Sequence, residues 1–263
     1  MKGIICYYSG SGNTKLAMEY LNKKVSTTDF NLYNVVKSEL PDLSKYDVVG
    51  FATFTDFGDI PQYYVSFLDK IEEQPDKPAF IINTFGAISG KTLKLFADRV
   101  ETKHFTIISA YSLHTPENYP PMRKRNIMFD KAPKPRELKK FDTFISRLDE
   151  ILKLINNGQS PEKKQVKVGF LWNMLPNAPR TQAKKDFGIQ QVDENLCKEC
   201  GLCAEVCPYE AITLSPKPVF NHEKCYGCWA CYNHCPEQAI YTRKFRGTHQ
   251  YPKPNAEMVK KFG

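Results

Sequence analysis

Residues 2–14 read Lys2-Gly3-Ile4-Ile5-Cys6-Tyr7-Tyr8-Ser9-Gly10-Ser11-Gly12-Asn13-Thr14. The segment to Tyr8 is a short apolar run closed by serine and glycine, which reads as a buried strand. Lys15 to Lys24 follows with helical spacing through Leu16, Met18 and Leu21. Strand, glycine-rich turn and helix N-terminus in that order make a phosphate site. Backbone N–H groups and the helix dipole face the anion, and small hydroxyl residues add donors without crowding it. The P-loop pattern G-x-x-x-x-G-K-[ST] fails, because Lys15 follows Thr14 and not a glycine. The dinucleotide pattern G-x-G-x-x-G fails at its sixth position, again Lys15.

Working outward, Phe30 to Val36 is strand-like and Tyr46 to Thr53 is a buried strand. Pro61 to Ile71 reads as a helix, Pro78 to Thr84 as a strand, Lys91 to Val100 as a helix and Phe105 to Tyr111 as a fifth strand. Pro135 to Asn157 is a long amphipathic helix with Leu138, Phe141, Ile145, Leu148, Leu152 and Ile155 on one face. Strands alternating with helices predict an α/β fold, a five-stranded parallel sheet covered on both sides. The expected doubly wound order is 2-1-3-4-5, with the ligand at the carboxyl ends of the strands.

Ser9-Gly10-Ser11-Gly12-Asn13-Thr14 fits [ST]-x-[ST]-G-x-T, and in this it resembles the phosphate loop of flavodoxins. The resemblance implies an FMN phosphate held by hydroxyls and amides with no cationic side chain. It also implies roles for two loops at the strand ends, Thr53-Phe54-Thr55-Asp56-Phe57-Gly58-Asp59 and Asn83-Thr84-Phe85-Gly86-Ala87-Ile88-Ser89-Gly90. These would flank the flavin ring with Phe54, Phe57 and Phe85 and offer backbone groups to its polar edge. Each Phe taken singly is equally an ordinary core residue. Asp56 either lowers the flavin potential by charge repulsion or is a plain turn residue. Ser112 to Lys134, with Pro116, Pro120, Pro121 and Pro133, is long for a connection. It caps the ring, touches a second domain, or is a surface loop. His114 in it is either a proton donor to the flavin or a solvated histidine. Cys6, inside the first strand, is expected to be buried and inert.

The other informative stretch is near the C-terminus. Cys197-x2-Cys200-x2-Cys203-x3-Cys207-Pro208 recurs as Cys225-x2-Cys228-x2-Cys231-x3-Cys235-Pro236, every cysteine 28 positions on. Pro208/Pro236, Ala211/Ala239 and Ile212/Ile240 follow the same offset. Three thiolates in a tight loop suit three irons of one cubane, and the fourth then turns to the other cluster. Zinc wants two separated pairs of ligands, which two runs of four cysteines fit poorly. Disulfides would have to close within one turn.

Eight of the nine cysteines lie within 197–235, so the rest of the chain is cysteine-poor, which points to a reducing compartment. The apolar start is too short for a signal h-region, and no stretch has the length of a membrane helix. A cytoplasmic location and no membrane span are expected. The net charge is +8, but no helix collects the basic residues with interleaved aromatics, so nucleic acid is not an expected partner. The charge is mostly that of a solvated lysine-rich surface, or instead a positive field that steers an acidic redox partner. The polar stretch Gly158 to Gln165 marks a domain boundary. Beyond it, the apolar patch Phe170-Leu-Trp172-Asn-Met174-Leu-Pro176 is expected to pack between domains, with a membrane-surface helix as the alternative. Gln250 to Gly263 either wraps back or stays loose.

As a whole the chain resembles the flavodoxin–ferredoxin fusions of anaerobic bacteria and archaea, known as EFR-type ferredoxins. The resemblance divides it into a flavodoxin-like domain (1–157), an interdomain segment (158–189), a small α+β ferredoxin domain with two [4Fe–4S] clusters (190–245) and a tail (246–263). Carried over by position, one cluster takes Cys197, Cys200, Cys203 and Cys235, and the other Cys225, Cys228, Cys231 and Cys207. The expected function is electron transfer between FMN and the clusters, which couples two-electron and one-electron carriers. The alternative is a ferredoxin-dependent flavin oxidoreductase acting on a small organic molecule or quinone, so enzyme and carrier remain open. The expected partner is a ferredoxin or an acidic oxidoreductase. Flavin and cluster meet either within one chain or across a homodimer.

Overall fold

The computed structural model describes residues 1–169, 172, 184 and 187–263. Five parallel strands form the main sheet: β1 (Gly3–Tyr7), β2 (Phe30–Asn34), β3 (Val48–Phe54), β4 (Pro78–Phe85) and β5 (Thr106–His114). Their order is β2-β1-β3-β4-β5, the flavodoxin-like doubly wound arrangement.

The continuous apolar runs follow from burial on both faces. Side chains alternate along β1, so Ile5 and Tyr7 join one core and Ile4 and Cys6 the other. The first core lies under α1 (Asn13–Lys24) and α5 (Pro135–Asn156), with Met18, Leu21, Phe141, Ile145 and Leu148. The second lies under α2 (Gln62–Lys70) and α3 (Thr92–Glu101), with Tyr64, Phe67, Phe96 and Val100. Cys6 is fully buried, and burial pushes its thiol far above the ordinary range, which leaves it unreactive.

Strand β5 runs on to His114, beyond the predicted end at Tyr111, because it pairs with β4 as far as Phe85. The long stretch after it is ordered. It contains the short helix α4 (Pro120–Arg123) and is pinned by Arg123, which pairs with Asp130 at 2.8 Å and donates to the Glu117 carbonyl at 2.8 Å.

The cysteine-rich part is small. Strand β6 (Gln191–Val192) pairs antiparallel with β9 (Ile240–Tyr241), and β7 (Ile212–Ser215) pairs with β8 (Lys217–Phe220). Helices α6 (Leu202–Glu205) and α7 (Ala230–His234) begin 28 residues apart, so the sequence repeat is also a structural one. Its core is Cys203, Cys207, Ala211, Ile212, Trp229, Cys231, Tyr232, Ile240 and Phe245. The tail wraps back. Helix α8 (Ala256–Phe262) buries Met258 and Phe262 in the α1/α5 core, with Phe262 edge-on to Tyr20 at 4.8 Å. The patch at 170–176 lies outside the described residues, Trp172 excepted. Among the described residues, no helix is long and apolar enough to cross a membrane.

Asp149 on α5 fixes the turn between α1 and β2. Its carboxylate accepts Ser26 N–H, Ser26 O–H and Thr27 N–H, and pairs with Lys153. Burial pushes the carboxyl up, but the bonds from Ser26, Thr27 and Lys153 prevail and hold it far below the usual range. A lowered folded value means stabilisation that is complete above the unfolded value of about 3.9 and is lost as pH falls toward the folded value. Asp149→Asn should cost about 1–3 kcal/mol at neutral pH. Thermal melts should show the gap to wild type closing as pH is lowered toward about 2.

Candidate functional site

The carboxyl ends of β1, β3, β4 and β5 open into one cavity of about 710 Å³. Its size and apolar lining suit an organic cofactor. Ser9, Gly10, Ser11, Asn13 and Thr14 line one end, and Phe54 to Gly58 and Thr84 to Ala87 line the flanks. Three of the sequence-derived residues lie behind this lining. Thr53 is fully buried in β3. Asn83 is spent on Thr55, Ser89 and Ser112 side chains. Gly12 packs under the tail.

The turn at Ser9–Thr14 is shaped for an anion. Gly12 caps α1 with a left-handed φ of 92°, and a Cβ there would lie 2.7 Å from Pro254 Cδ. Among the described residues no side chain caps α1, which leaves its first N–H groups for a ligand. Ser9 Oγ is buried and, among the described residues, has no hydrogen-bond partner. An orphaned buried hydroxyl at an uncapped helix start is what a bound phosphate would satisfy. The carboxamide of Asn13 serves the protein instead: it donates to Pro116 O at 3.0 Å and accepts from Tyr251 O–H at 3.0 Å. Thr14 Oγ1 sits 2.9 Å from Thr84 Oγ1.

Phe54, Phe57 and Phe85 all line the cavity. His114 does not face it. Its ring stacks behind Phe85 at 5.2 Å, and its Nδ1 lies 3.0 Å from Glu137 Oε1. The stretch after β5 does reach the site. Thr115, Pro116, Glu117, Asn118 and Tyr119 form a third wall. Glu117 joins the loops, accepting N–H from Ala87 at 3.0 Å, Asn118 at 3.0 Å and Tyr119 at 2.9 Å. Burial pushes its carboxyl above the ordinary value, against the pull of those amides and of Arg123. Gly86 is required here, since a Cβ would fall 2.5 Å from Glu117 Oε2. Asn118 extends the tie by donating to Ser11 Oγ at 2.8 Å.

The cysteine-rich part supplies the fourth wall: Tyr209, Tyr226, Cys228, Ala230 and Asn233. Sequence reasoning did not single out the two tyrosines. The only signal was their position, Tyr209 after Cys207-Pro208 and Tyr226 between Cys225 and Cys228. They stack at 4.8 Å, and Tyr226 O–H donates to Asp56 Oδ2 at 2.8 Å, so Asp56 is a bridge between the two parts. Burial, then Cys228, Tyr226 and Asp56, push the Tyr209 hydroxyl far up. Asn233 Nδ2 donates to Asn118 O at 3.0 Å, and Lys37 Nζ donates to the carbonyls of Ala204 and Glu205. Gln250 in the tail donates to Tyr232 O and Cys235 O, and so ties the tail to the second cysteine run.

Cys203 and Cys231 each have other cysteines of the two runs near them. The sulfur of Cys203 senses charge at Cys235, Cys197 and Cys200, after burial, which pushes its thiol up to about 11. The sulfur of Cys231, also raised first by burial, senses Cys228, Cys225 and Cys207 before Cys203. A second, small cavity is lined by Cys207, Cys225, Cys228 and Cys231 together with Gln190. Among the described residues, no three His, Cys, Asp or Glu side chains converge as ligands of a single ion. A cubane asks for less convergence, because each thiolate reaches its own iron. Backbone donors already face two of the sulfurs: Ala211 N–H to Cys207 Sγ at 3.4 Å and Ala239 N–H to Cys235 Sγ at 3.3 Å.

Residues 191–213 and 218–241 each match the family described as 4Fe-4S binding domain (Fer4). The chain is 37% identical over 51 residues to a ferredoxin of Pyrobaculum islandicum, covering 19% of this chain and 48% of that protein. It is 56% identical over 27 residues to ketoisovalerate oxidoreductase subunit VorD of Pyrococcus furiosus, covering 10% of this chain and 26% of that one. The chain thus spans half or less of the curated relatives it matches. Among solved structures, a flavodoxin from the domain Archaea aligns with a TM-score of 0.44 at 17% identity, over 58% of this chain and 99% of that chain. Oxidised flavodoxin 1 from Bacillus cereus aligns at 0.45 and 14%, over 57% and 98%. At these scores the fold rests on the strand order. A 4Fe–4S ferredoxin domain therefore follows a flavodoxin-like sheet, a combination consistent with a flavodoxin–ferredoxin fusion.

Proposed function

We propose that this chain, a flavodoxin-like domain joined to a 4Fe–4S ferredoxin domain, is an electron-transfer protein that passes electrons between FMN and two [4Fe–4S] clusters within one polypeptide. The carrying observation is that Cys228 lines the same cavity as the Ser9–Thr14 turn. FMN would supply exchange of one or two electrons and the clusters exchange of one at a time.

The chain's own residues divide the work. Ser9, Ser11, Thr14 and the first amides of α1 hold the phosphate. Phe54, Phe57, Phe85 and Tyr119 enclose the ring and exclude water. Glu117 sets the spacing of the loops. Cys225, Cys228, Cys231 and Cys207 hold the cluster beside the cavity, and Cys197, Cys200, Cys203 and Cys235 hold the outer one. Cys200 is the exposed member of that outer set, which makes it the point of exchange with a redox partner protein. Residues 1–157 and 190–245 act as the two domains, with the tail belonging to the first by packing. Meeting within one chain makes a homodimer unnecessary for the transfer.

Composition tests this directly. Protein purified without oxygen should carry about eight irons per chain and one FMN. Full iron without flavin would sink the assignment of the first domain, and half the iron would sink the two-cluster count.

A further inference from the structure

Gln190 stands just ahead of β6 and is 2% exposed. Its Oε1 lies 3.5 Å from Cys225 Sγ and accepts from the thiol. Its Nε2 is buried and, among the described residues, has no hydrogen-bond partner. A buried amide nitrogen without an acceptor is costly. The arrangement also holds only while Cys225 carries its proton. A thiol that coordinates metal is deprotonated outright and can only accept. The carbonyl oxygen would then face a thiolate, acceptor against acceptor.

One rotation turns the donor end of the carboxamide toward the sulfur. The two ends of a carboxamide are nearly the same shape, and which one points where is set by the hydrogen bonds on offer. Turned over, Nε2 donates to the Cys225 sulfur and the buried N–H gains its acceptor. We propose that Gln190 is a positioning residue for the cluster held by Cys225, Cys228, Cys231 and Cys207, donating a hydrogen bond to the Cys225 sulfur and raising that cluster's reduction potential above its twin's. The inference rests on the two-cluster reading given above.

The repeat explains why only one cluster would feel this. The 28-residue offset carries Gln190 onto Pro218, as it carries Cys197 onto Cys225. Gln190 reaches across to the other half's first cysteine, so its counterpart for Cys197 is Pro218, whose side chain has no donor. The backbone donors Ala211 and Ala239, by contrast, serve both halves alike. Hydrogen bonds to sulfur stabilise the added negative charge of a reduced cluster. The cluster beside the cavity is therefore the easier one to reduce, and electrons entering at the outer cluster run downhill toward the cavity.

The test is a potentiometric titration of the anaerobic full-length protein, followed by electron paramagnetic resonance. Wild type is compared with Gln190→Met, which keeps the volume and loses the donor, and Gln190→Glu, which offers only acceptors. The higher-potential signal should fall by about tenfold in its reduction equilibrium in Gln190→Met, 59 mV for one electron, and further in Gln190→Glu, with the other signal unmoved. Unchanged potentials at full iron content would overturn the inference. So would equal shifts of both clusters, or loss of iron from both variants, which would make Gln190 a packing residue. Wild type holding only about four irons would sink the two-cluster reading and this inference together, a result that iron content alone reveals.

Discussion

Ser9→Asp is expected to weaken FMN binding by about a thousandfold while leaving iron content unchanged. Ser9 Oγ, in the turn before α1, is buried and, among the described residues, has no hydrogen-bond partner. A carboxylate in its place meets the phosphate at about 4 Å, where like charges repel by roughly 4 kcal/mol at an effective dielectric constant near 20. That energy corresponds to roughly three decades of affinity. Ser9 as a whole is only half-buried, so the apoprotein should tolerate the change. Fluorescence titration of apoprotein with FMN gives the constant, and an iron assay checks the second domain. Wild-type affinity in this variant would move the phosphate away from the turn.

Cys231→Ala should remove about half the iron and slow the passage of electrons to the flavin. Cys231 is buried and central to the set that includes Cys228. Three remaining thiolates leave one iron without a protein ligand. Reduction of the flavin by a reduced ferredoxin should slow by more than the roughly 10–100-fold typical of a lost outer-shell contact. The matched variant Cys203→Ala should lose the other half of the iron and keep the cavity-side cluster. Loss of all the iron from either variant would mean that the two sets do not stand apart.

Much of the sheet domain was legible because the central strands β1, β3 and β4 are buried on both faces, so apolar runs such as Ile4 to Tyr8 and Val48 to Ala52 stand out. The cysteine runs were legible because metal chemistry fixes their spacing. Other features depend on contacts distant in sequence. Nothing near Gln190 announces a bond to Cys225, since the two are 35 residues apart and meet only in the fold. Asp56 read as a flavin carboxylate or a turn residue, and the structure gives it a third role as acceptor for Tyr226. The tail was ambiguous because seven residues with two inward side chains, Met258 and Phe262, carry little periodicity of their own. The net charge of +8 is unevenly distributed along the chain. It lies outside the cysteine-rich part, where residues 190–245 hold seven acidic and five basic side chains, a balance of 5 − 7 = −2.

The central claim is that flavin and cluster exchange electrons within a single chain. Flash reduction of the clusters, followed by the flavin absorbance, tests it most directly. The arrangement of Cys228 on the flavin-side cavity predicts a first-order rate that stays constant as the protein is diluted a hundredfold. A rate that falls in proportion to protein concentration would contradict it, because electrons would then be passing between molecules.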